Sequence, residues 1–276
     1  RSSDLPDKDI LANGLRKILP EQWAYAFTRW KNTLLQQLFY RATRTHPEKI
    51  KTLLLKRVGK TLKNKQDIDR HFTPAYNPWD QRLCIVPNND LFKTVKSGEA
   101  SVVTGSVDAL TETGLNLASG QSLDADLIIT ATGLNLSVLG GAIFNIDGAP
   151  IDFSKTYTYK GIMYSGVPNL ISTFGYINAS WTLHADLIAE YACKIINHMD
   201  KSGHRQCTPQ LRKEDLNMVS RPWIDDFSAG YIQRAMHLFP KQGDHAPWIN
   251  PQNYRKDKKL LREDLLKDGA LVFKCG

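Results

Sequence analysis

Residues 9–66 carry apolar side chains at helical spacing, with basic side chains between them. The pattern stops at Pro20 and then resumes, and a further helical segment opens with Pro47, a residue favoured at the first position of a helix. The larger apolar side chains of the middle segment share one broad face: Trp23, Ala26, Phe27, Trp30, Leu34, Leu38 and Phe39. This pattern predicts a helical module that buries an aromatic face as core and presents Lys and Arg on the other side.

The pattern changes from residue 70, where prolines become too frequent for a regular helix. Residues 101–132 alternate as strands do, and Thr113-Gly114 and Ser119-Gly120 supply turns. The last of these segments, "DADLIITATGLN", predicts a buried strand at 127–129 that ends in small side chains. We therefore expect a small β-meander whose final backbone leaves room for a neighbour.

A strand–turn–helix is predicted next. The segment "PNLISTFGY", at 168–176, is typical of a buried strand, and an amphipathic helix follows it. Asn178, Ser180 and Thr182 are available to cap the start of that helix. Unpaired N–H groups and the helix dipole make such a start a seat for anionic or carbonyl oxygens. The tail beyond 205 is rich in loops and carries a charged helix near residue 254. The fold class predicted is α/β.

The distribution of charge along the chain limits the kinds of partner that it can bind. The 276 residues carry a net charge of +8, but residues 1–66 hold 15 Lys and Arg against 5 Asp and Glu, so all of the basic excess lies there. That patch is compatible with a solvated helix face, an anionic membrane surface, a phosphorylated ligand or nucleic acid.

Cysteine spacing makes metal and redox sites improbable classes for this chain. The four cysteines form no C-x-x-C, which disfavours zinc and redox-dithiol sites and favours a reducing, cytoplasmic setting. The nearly uncharged run 127–145 is better explained by a strand and a loop than by a membrane span. The chain begins with Arg1 and shows no secretory leader, and we expect it to be a piece of a longer protein.

Two stretches carry a family resemblance. "LDADLIITATGL" and "SGVPNLISTFGYINASWTL" resemble the C-terminal half of class B flavoprotein monooxygenases, the Baeyer–Villiger and flavin-containing monooxygenases. "FTPAYNPWDQRLCIVPNNDLFK" and "GYIQRAMHLFPKQG" are similar to the Baeyer–Villiger branch that includes the ethionamide-activating enzyme. The chain lacks both G-x-G-x-x-G loops and the F-x-G-x-x-x-H-x-x-x-W fingerprint of the class, all of which lie N-terminal to the matching region in the family.

The resemblance implies part of a flavoprotein with two dinucleotide-binding domains. It implies that 1–66 is a basic helical segment inserted in the NADP domain, and that 67–132 is the rest of that domain with the crossing strand. Residues 133–204 would be the C-terminal part of the FAD domain, and 205–276 a loop-rich tail.

The resemblance also implies residue roles. Arg82 would be catalytic, holding the negative charge of a C4a-peroxyflavin, and Asp80 and Gln81 would orient it or contact nicotinamide. Thr132 and Gly133 would approach FAD through the backbone, or would only allow tight packing. The helix start would meet the flavin ring and its ribityl chain through Asn178, Ala179, Ser180, Trp181 and Thr182. His184 is expected to be a packing or surface residue.

The implied activity is oxygenation of ketones or of sulfur and nitrogen centres, with FAD and NADPH as cofactors and O2 as a substrate. The alternatives are another two-domain flavoprotein, an N-hydroxylase or a reductase, or an inactive fragment that acts through its basic helices. Peripheral membrane contact through residues 1–66 is a further expectation, and binding of nucleic acid is not expected.

Overall fold

A computed structural model describes residues 2–5, 9–225 and 227–275. The chain forms two compact units, residues 1–133 and 134–276. The predicted boundaries near 66, 132 and 204, with the NADP-domain and FAD-domain assignments attached to them, stay predictions.

The first unit begins with the predicted helical module. Asp9 accepts a hydrogen bond from the Ala12 N–H, Pro20 directly precedes the second helix, and Pro47 is the first residue of the third, so these predicted helix boundaries are confirmed. The helices are α1 (Ile10–Leu15), α2 (Glu21–Thr45), α3 (Pro47–Leu62), α4 (Lys65–Asp67) and α5 (Asp90–Ser97). A π-helical turn, Ile68–Phe72, continues α4.

The core of this helical module is small. Val58 of α3, Ile68 and Phe92 of α5 are buried together, and the Phe72 ring meets the Phe92 ring edge-on at 5.5 Å. This contact fixes the segment that follows the π-helical turn against α3 and α5.

The prediction that the aromatic face of α2 is core is wrong. Trp23 is 72% exposed and Trp30 is 60% exposed, whereas the small Ala24 is fully buried. Helical periodicity identifies an apolar face, but it does not supply an element to cover that face. Among the described residues, none covers these rings.

The strands of the first unit form two small sheets. Strand β1 (Ser2–Leu5) lies parallel to β2 (Cys84–Pro87), and the helices between them make the crossover. Strands β3 (Val107–Thr111), β4 (Gly114–Leu117) and β5 (Ser122–Asp124) form the predicted antiparallel meander.

The meander is shorter than predicted at both ends. Residues 101–106 and 127–129 lie outside its strands, and Leu127 and Ile129 are 77% and 81% exposed. The prediction of a buried strand at 127–129 is therefore wrong for this structure. A strand needs a ladder partner, and no segment that the structure describes pairs with these residues.

The second unit is built around one long helix. Leu187, Tyr191 and Ile195 on one face of this helix pack against Trp248 and Leu261 in the main core. The helices are α6 (Trp181–Ser202), α7 (Gly230–Ala235) and α8 (Tyr254–Arg262). The paired strands are β6 (Asn145–Ile146) with β7 (Ala149–Pro150), β8 (Thr158–Tyr159) with β9 (Met163–Tyr164), and β10 (Gln206–Pro209) with β11 (Leu271–Lys274). The predicted helix after 178 and the predicted helix near 254 are confirmed.

The predicted strand at 168–176 is not formed. The segment runs without a ladder, and one of its backbone bonds is from Ser172 N–H to the Ile162 carbonyl. Its apolar side chains are held by packing instead: the rings of Phe174 and Trp223 meet at 4.5 Å. The apolar run predicted burial only in part, because Ile171 and Phe174 are half-buried and Tyr176 is buried, and it predicted the backbone pairing incorrectly.

The core of the second unit also contains a buried charge. Lys160 is 1% exposed, and its ammonium lies 3.0 Å from the Asp268 carboxylate. The Tyr159 hydroxyl donates to the same carboxylate at 2.9 Å, and the Lys160 Nζ also lies 5.2 Å from the ring centre of Tyr191. Burial of this charge is compensated by the ion pair and the ring.

Over the described residues, no helix combines the length and the apolar character that a membrane crossing requires.

Candidate functional site

The first unit contains a cleft between α3, α5 and the segment 71–83. Its volume is about 290 Å³. Leu54, Val58 and Phe92 form part of an apolar wall, and Gln81 and Arg82 line the same space. Two of the three sequence-predicted residues of the "DQRLC" motif therefore border a cavity rather than a flat surface.

Backbone geometry presents these residues. Trp79 has a φ of 69°, a left-handed conformation that is uncommon for a bulky residue, and its ring meets the Tyr40 ring of α2 at 5.8 Å. A backbone bridge joins Pro78 and Gln81 immediately beside it. The sharp turn directs the chain across the mouth of the cleft before it enters β2.

Asp80 has a partner in α2. Its Oδ1 accepts a hydrogen bond from Arg44 at 2.8 Å, and its Oδ2 accepts one from the Asn77 N–H at 3.1 Å. Arg82 is exposed, and within the described residues its guanidinium has no hydrogen bond or ion pair. The sequence did not reveal Arg44 as the partner of Asp80.

The start of α6 lies in the second unit. Ser180 occupies the capping position, but its side chain does not cap the helix; its hydroxyl bonds to the Thr182 hydroxyl at 2.8 Å instead. Asn178 is tied by its side-chain N–H to the Gln252 carbonyl at 3.2 Å, and Ala179 is half-buried. A helix end that its own side chains leave uncapped can accept an anionic or carbonyl oxygen.

Trp181 is supported from below. Its ring is 47% exposed, lies 5.1 Å from the Phe174 ring, and occupies the space that a Cβ on Gly175 would need. Glycine at 175 is therefore required by close approach of the indole to the backbone. Trp181 therefore packs against Phe174 and Gly175 on one side and exposes part of its indole at the start of the helix.

A buried polar cluster lies one turn into α6, and the sequence did not reveal it. His184 is 1% exposed, its Nδ1 bonds to the Phe174 carbonyl at 2.6 Å, and its ring stacks on Tyr176 at 4.7 Å. Burial lowers the pKa of His184, so the ring is neutral and Nδ1 carries the proton given to the carbonyl. Its Nε2 has no partner within the described residues. The packing prediction for His184 agrees with this position, and the surface alternative does not.

Asp257 of α8 completes the cluster. It is 1% exposed, and its Oδ2 accepts a hydrogen bond from the Asn253 N–H at 3.0 Å. Burial raises the pKa of Asp257 to about 6, although the Tyr176 hydroxyl lowers it in part. In "YRKDKKLLREDLL" this aspartate has the same appearance as its exposed charged neighbours, so nothing in the sequence marks it.

Thr132 and Gly133 are exposed at the end of the first unit. Gly133 has a φ of 130°, a conformation that side chains rarely adopt. The backbone conformation at Gly133 therefore favours glycine, whether a cofactor or a packed segment lies against it.

Comparison with known proteins gives relatives along nearly the whole chain. "Probable FAD-binding monooxygenase AlmA" of Acinetobacter baylyi is 45% identical over 271 residues, which is 98% of this chain and 54% of AlmA. "FAD-containing monooxygenase EthA" of Mycobacterium tuberculosis is 44% identical over 268 residues, 97% of this chain and 54% of EthA. The chain is a homologue of FAD-containing monooxygenases. It spans about half the length of the curated relatives that it matches.

The fold agrees with this relationship. The structure of OTEMO in complex with FAD and NADP matches 99% of this chain and 53% of its own, with a TM-score of 0.61 and 14% identity. Oxidized steroid monooxygenase bound to NADP matches 83% of this chain and 46% of its own, with a TM-score of 0.59 and 15% identity. No family model matches the chain. These matches confirm the predicted α/β fold class.

Proposed function

We propose that the chain is the C-terminal part of an FAD- and NADPH-dependent monooxygenase of the Baeyer–Villiger type. The observation that carries this proposal is the identity of 44–45% to AlmA and EthA over at least 97% of the chain. The proposed substrates are ketones or compounds with sulfur or nitrogen centres, together with O2. We assign the protein to the cytoplasm because its four cysteines are free, as is usual in a reducing compartment.

The start of α6 is the part of the second unit that fits FAD. The uncapped helix end and the exposed face of Trp181 suit a flat, anionic cofactor. In the proposal Asn178, Ala179, Ser180, Trp181 and Thr182 hold it. When bound, FAD supplies the redox chemistry by accepting hydride from NADPH and activating O2. The backbone of Thr132 and Gly133 is also proposed to approach the cofactor.

Arg82 is the proposed catalytic residue. A guanidinium stays charged at every physiological pH and offers several N–H donors in a fixed plane. Because its side chain is exposed at the mouth of a cleft, Arg82 can stabilise negative charge that develops on a substrate oxygen. Gln81 is proposed to contact nicotinamide, and Asp80 to hold the turn through Arg44.

Spectroscopy of the longer protein that contains this chain tests the proposal. We expect a bound flavin spectrum, bleaching of that spectrum by NADPH without O2, and formation of an oxygenated product when O2 and a ketone are added. A protein that lacks flavin after refolding with FAD would contradict the proposal. One that reduces a disulfide instead of oxygenating would favour the reductase alternative.

The exposed face of α2 supports a second proposal, contact with an anionic membrane surface. Trp23, Phe27 and Trp30 lie at positions i, i+4 and i+7 of the helix, are each more than 40% exposed, and belong to the segment with the basic excess. Tryptophan rings favour the membrane interface, and basic residues are attracted to anionic lipids. We propose peripheral binding through this face.

Vesicle sedimentation of the longer protein tests this second proposal. We expect binding to vesicles that contain phosphatidylserine, weaker binding at high salt, and loss of most binding in Trp23→Ser/Trp30→Ser. Leu216→Ser is the matched control, because Leu216 is 68% exposed in the other unit. Equal binding of the double variant and the control would contradict the membrane contact.

A further inference from the structure

The cleft of the first unit has an apolar wall that is more extensive than contact with Arg82 alone would require. Leu54, Leu55 and Val58 of α3 face it from one side, and Leu91 and Phe92 of α5 from another. A volume of about 290 Å³ is near the lower end of the range in which small-molecule sites are found, roughly 300–1,000 Å³. Such a space fits a short apolar chain.

The charges around this cleft have one sign. Lys51 and Arg82 line it, and no Asp or Glu is among its lining residues. Within the described part of the chain, neither cation has an ion pair or a side-chain hydrogen bond. Lys51 is half-buried and lines the cleft. A cation in that position favours an anionic ligand group.

Further hydrogen-bonding side chains complete the polar side of the cleft. His71 lines it and is fixed by a bond of 2.7 Å between its Nδ1 and the Thr104 hydroxyl. Asn77 and Gln81 also line it and offer amide groups. The polar lining groups therefore belong to the segment 71–82 and to Lys51, whereas the other lining residues of α3 and α5 are apolar.

We propose that this cleft binds a small organic anion with an apolar chain, a medium-chain carboxylate. The carboxylate lies at Lys51 and Arg82, and the chain lies against Leu54, Val58 and Phe92. The cleft shares Arg82 with the proposed catalytic site, but the inference concerns ligand binding in the first unit and does not rest on the proposed monooxygenase function.

Calorimetric titration of the full chain with octanoate tests the proposal, with octanol and acetate as comparison ligands. Octanoate is expected to bind at least about tenfold more tightly than either comparison ligand, a difference of about 1.4 kcal/mol, because each lacks one of the two recognised groups. Since neither FAD nor NADPH is present, failure here leaves the proposed function untouched. No detectable octanoate binding, or equal binding of octanol, would overturn the proposal.

Two variants of α3 locate the site, each with a matched control on the same helix. Lys51→Met keeps the unbranched stem, one atom shorter, and removes the charge, and should weaken octanoate binding about tenfold without affecting octanol. Lys56→Met is its control, because Lys56 is exposed and does not line the cleft. Leu54→Trp should fill the space and abolish binding, whereas Leu53→Trp, at an exposed neighbour that does not line it, should not.

Circular dichroism of each variant confirms its fold, and Lys51→Met alone decides the question if Leu54→Trp does not fold. Octanoate affinity that is the same in Lys51→Met and Lys56→Met would place the ligand elsewhere and overturn the proposal.

Discussion

At the scale of single residues, Asp257 makes the stability of the protein depend on pH. Its pKa is raised from 3.8 to about 6 by burial in the folded protein. Between these two values the folded protein keeps the proton and the unfolded chain has lost it. The free energy of unfolding therefore falls as pH rises through this window, by up to about 3 kcal/mol.

The Asp257→Asn variant removes this dependence, because an amide stays neutral and its oxygen can still accept from the Asn253 N–H. Urea unfolding is expected to show the variant more stable than the wild type at about pH 7 and similar to it at about pH 4. Asp200→Asn, at an exposed position of α6, should leave the pH profile unchanged. A wild-type profile that runs parallel to that of Asp257→Asn would contradict a raised pKa.

Single residues differ in how far the sequence reveals them. Arg82 could be selected because a motif surrounds it, and the structure places it at a cleft. Arg44 is 36 positions away from Asp80 in the chain, and no local sequence pattern predicts their hydrogen bond. The buried state of Asp257 results from packing between distant segments, since its neighbour Tyr176 precedes α6. Local patterns therefore predicted the motif, and tertiary contacts decided the partners.

At the scale of elements, the close approach between Gly175 and Trp181 fixes the start of α6. A Cβ at residue 175 would overlap the indole ring. Gly175→Ala is therefore expected to lower the free energy of unfolding by about 1–3 kcal/mol, as overpacking does. Gly14→Ala in α1 is the control, because a Cβ there meets open space and should stabilise the helix slightly.

A double-mutant cycle separates this contact from other effects of the substitution. In a Trp181→Ala background the ring is gone, so Gly175→Ala should cost much less than in the wild type. Denaturant unfolding of the four proteins measures the coupling. The same cost in both backgrounds would mean that the indole is not what excludes a side chain at 175.

Helices and strands were not equally predictable. The bounds of α2 and α3 follow from Pro20 and Pro47, because a helix closes its hydrogen bonds within its own segment. The meander β3–β5 was predictable for a similar reason, since short turns join its strands. The apolar segments 127–129 and 168–176 need a distant strand as partner, and no described segment provides one. For 168–176 the apolar character indicated packing but not pairing, and for 127–129 it indicated neither, since Leu127 and Ile129 are exposed.

At the scale of the whole molecule, the division into two units and the uneven charge are the features that bear on function. The first unit carries the basic excess, the exposed aromatic face of α2 and the cleft at Arg82. The second carries the uncapped start of α6 and the buried cluster behind it. The chain is similar to monooxygenases about twice as long, and this similarity supports one proposed function for both units. The geometry of either unit alone does not indicate that function.

The measurement that tests the central claim most directly compares two half-reactions in the longer protein carrying Arg82→Ala. We expect NADPH to reduce the flavin at nearly the wild-type rate, while formation of oxygenated product falls by about a hundredfold or more, because a group that stabilises developing charge has been removed. Arg82→Lys should recover part of the loss. Arg70→Ala, at an exposed arginine that does not line the cleft, should change neither reaction. Undiminished product formation by Arg82→Ala would contradict the assignment of Arg82 as the catalytic residue.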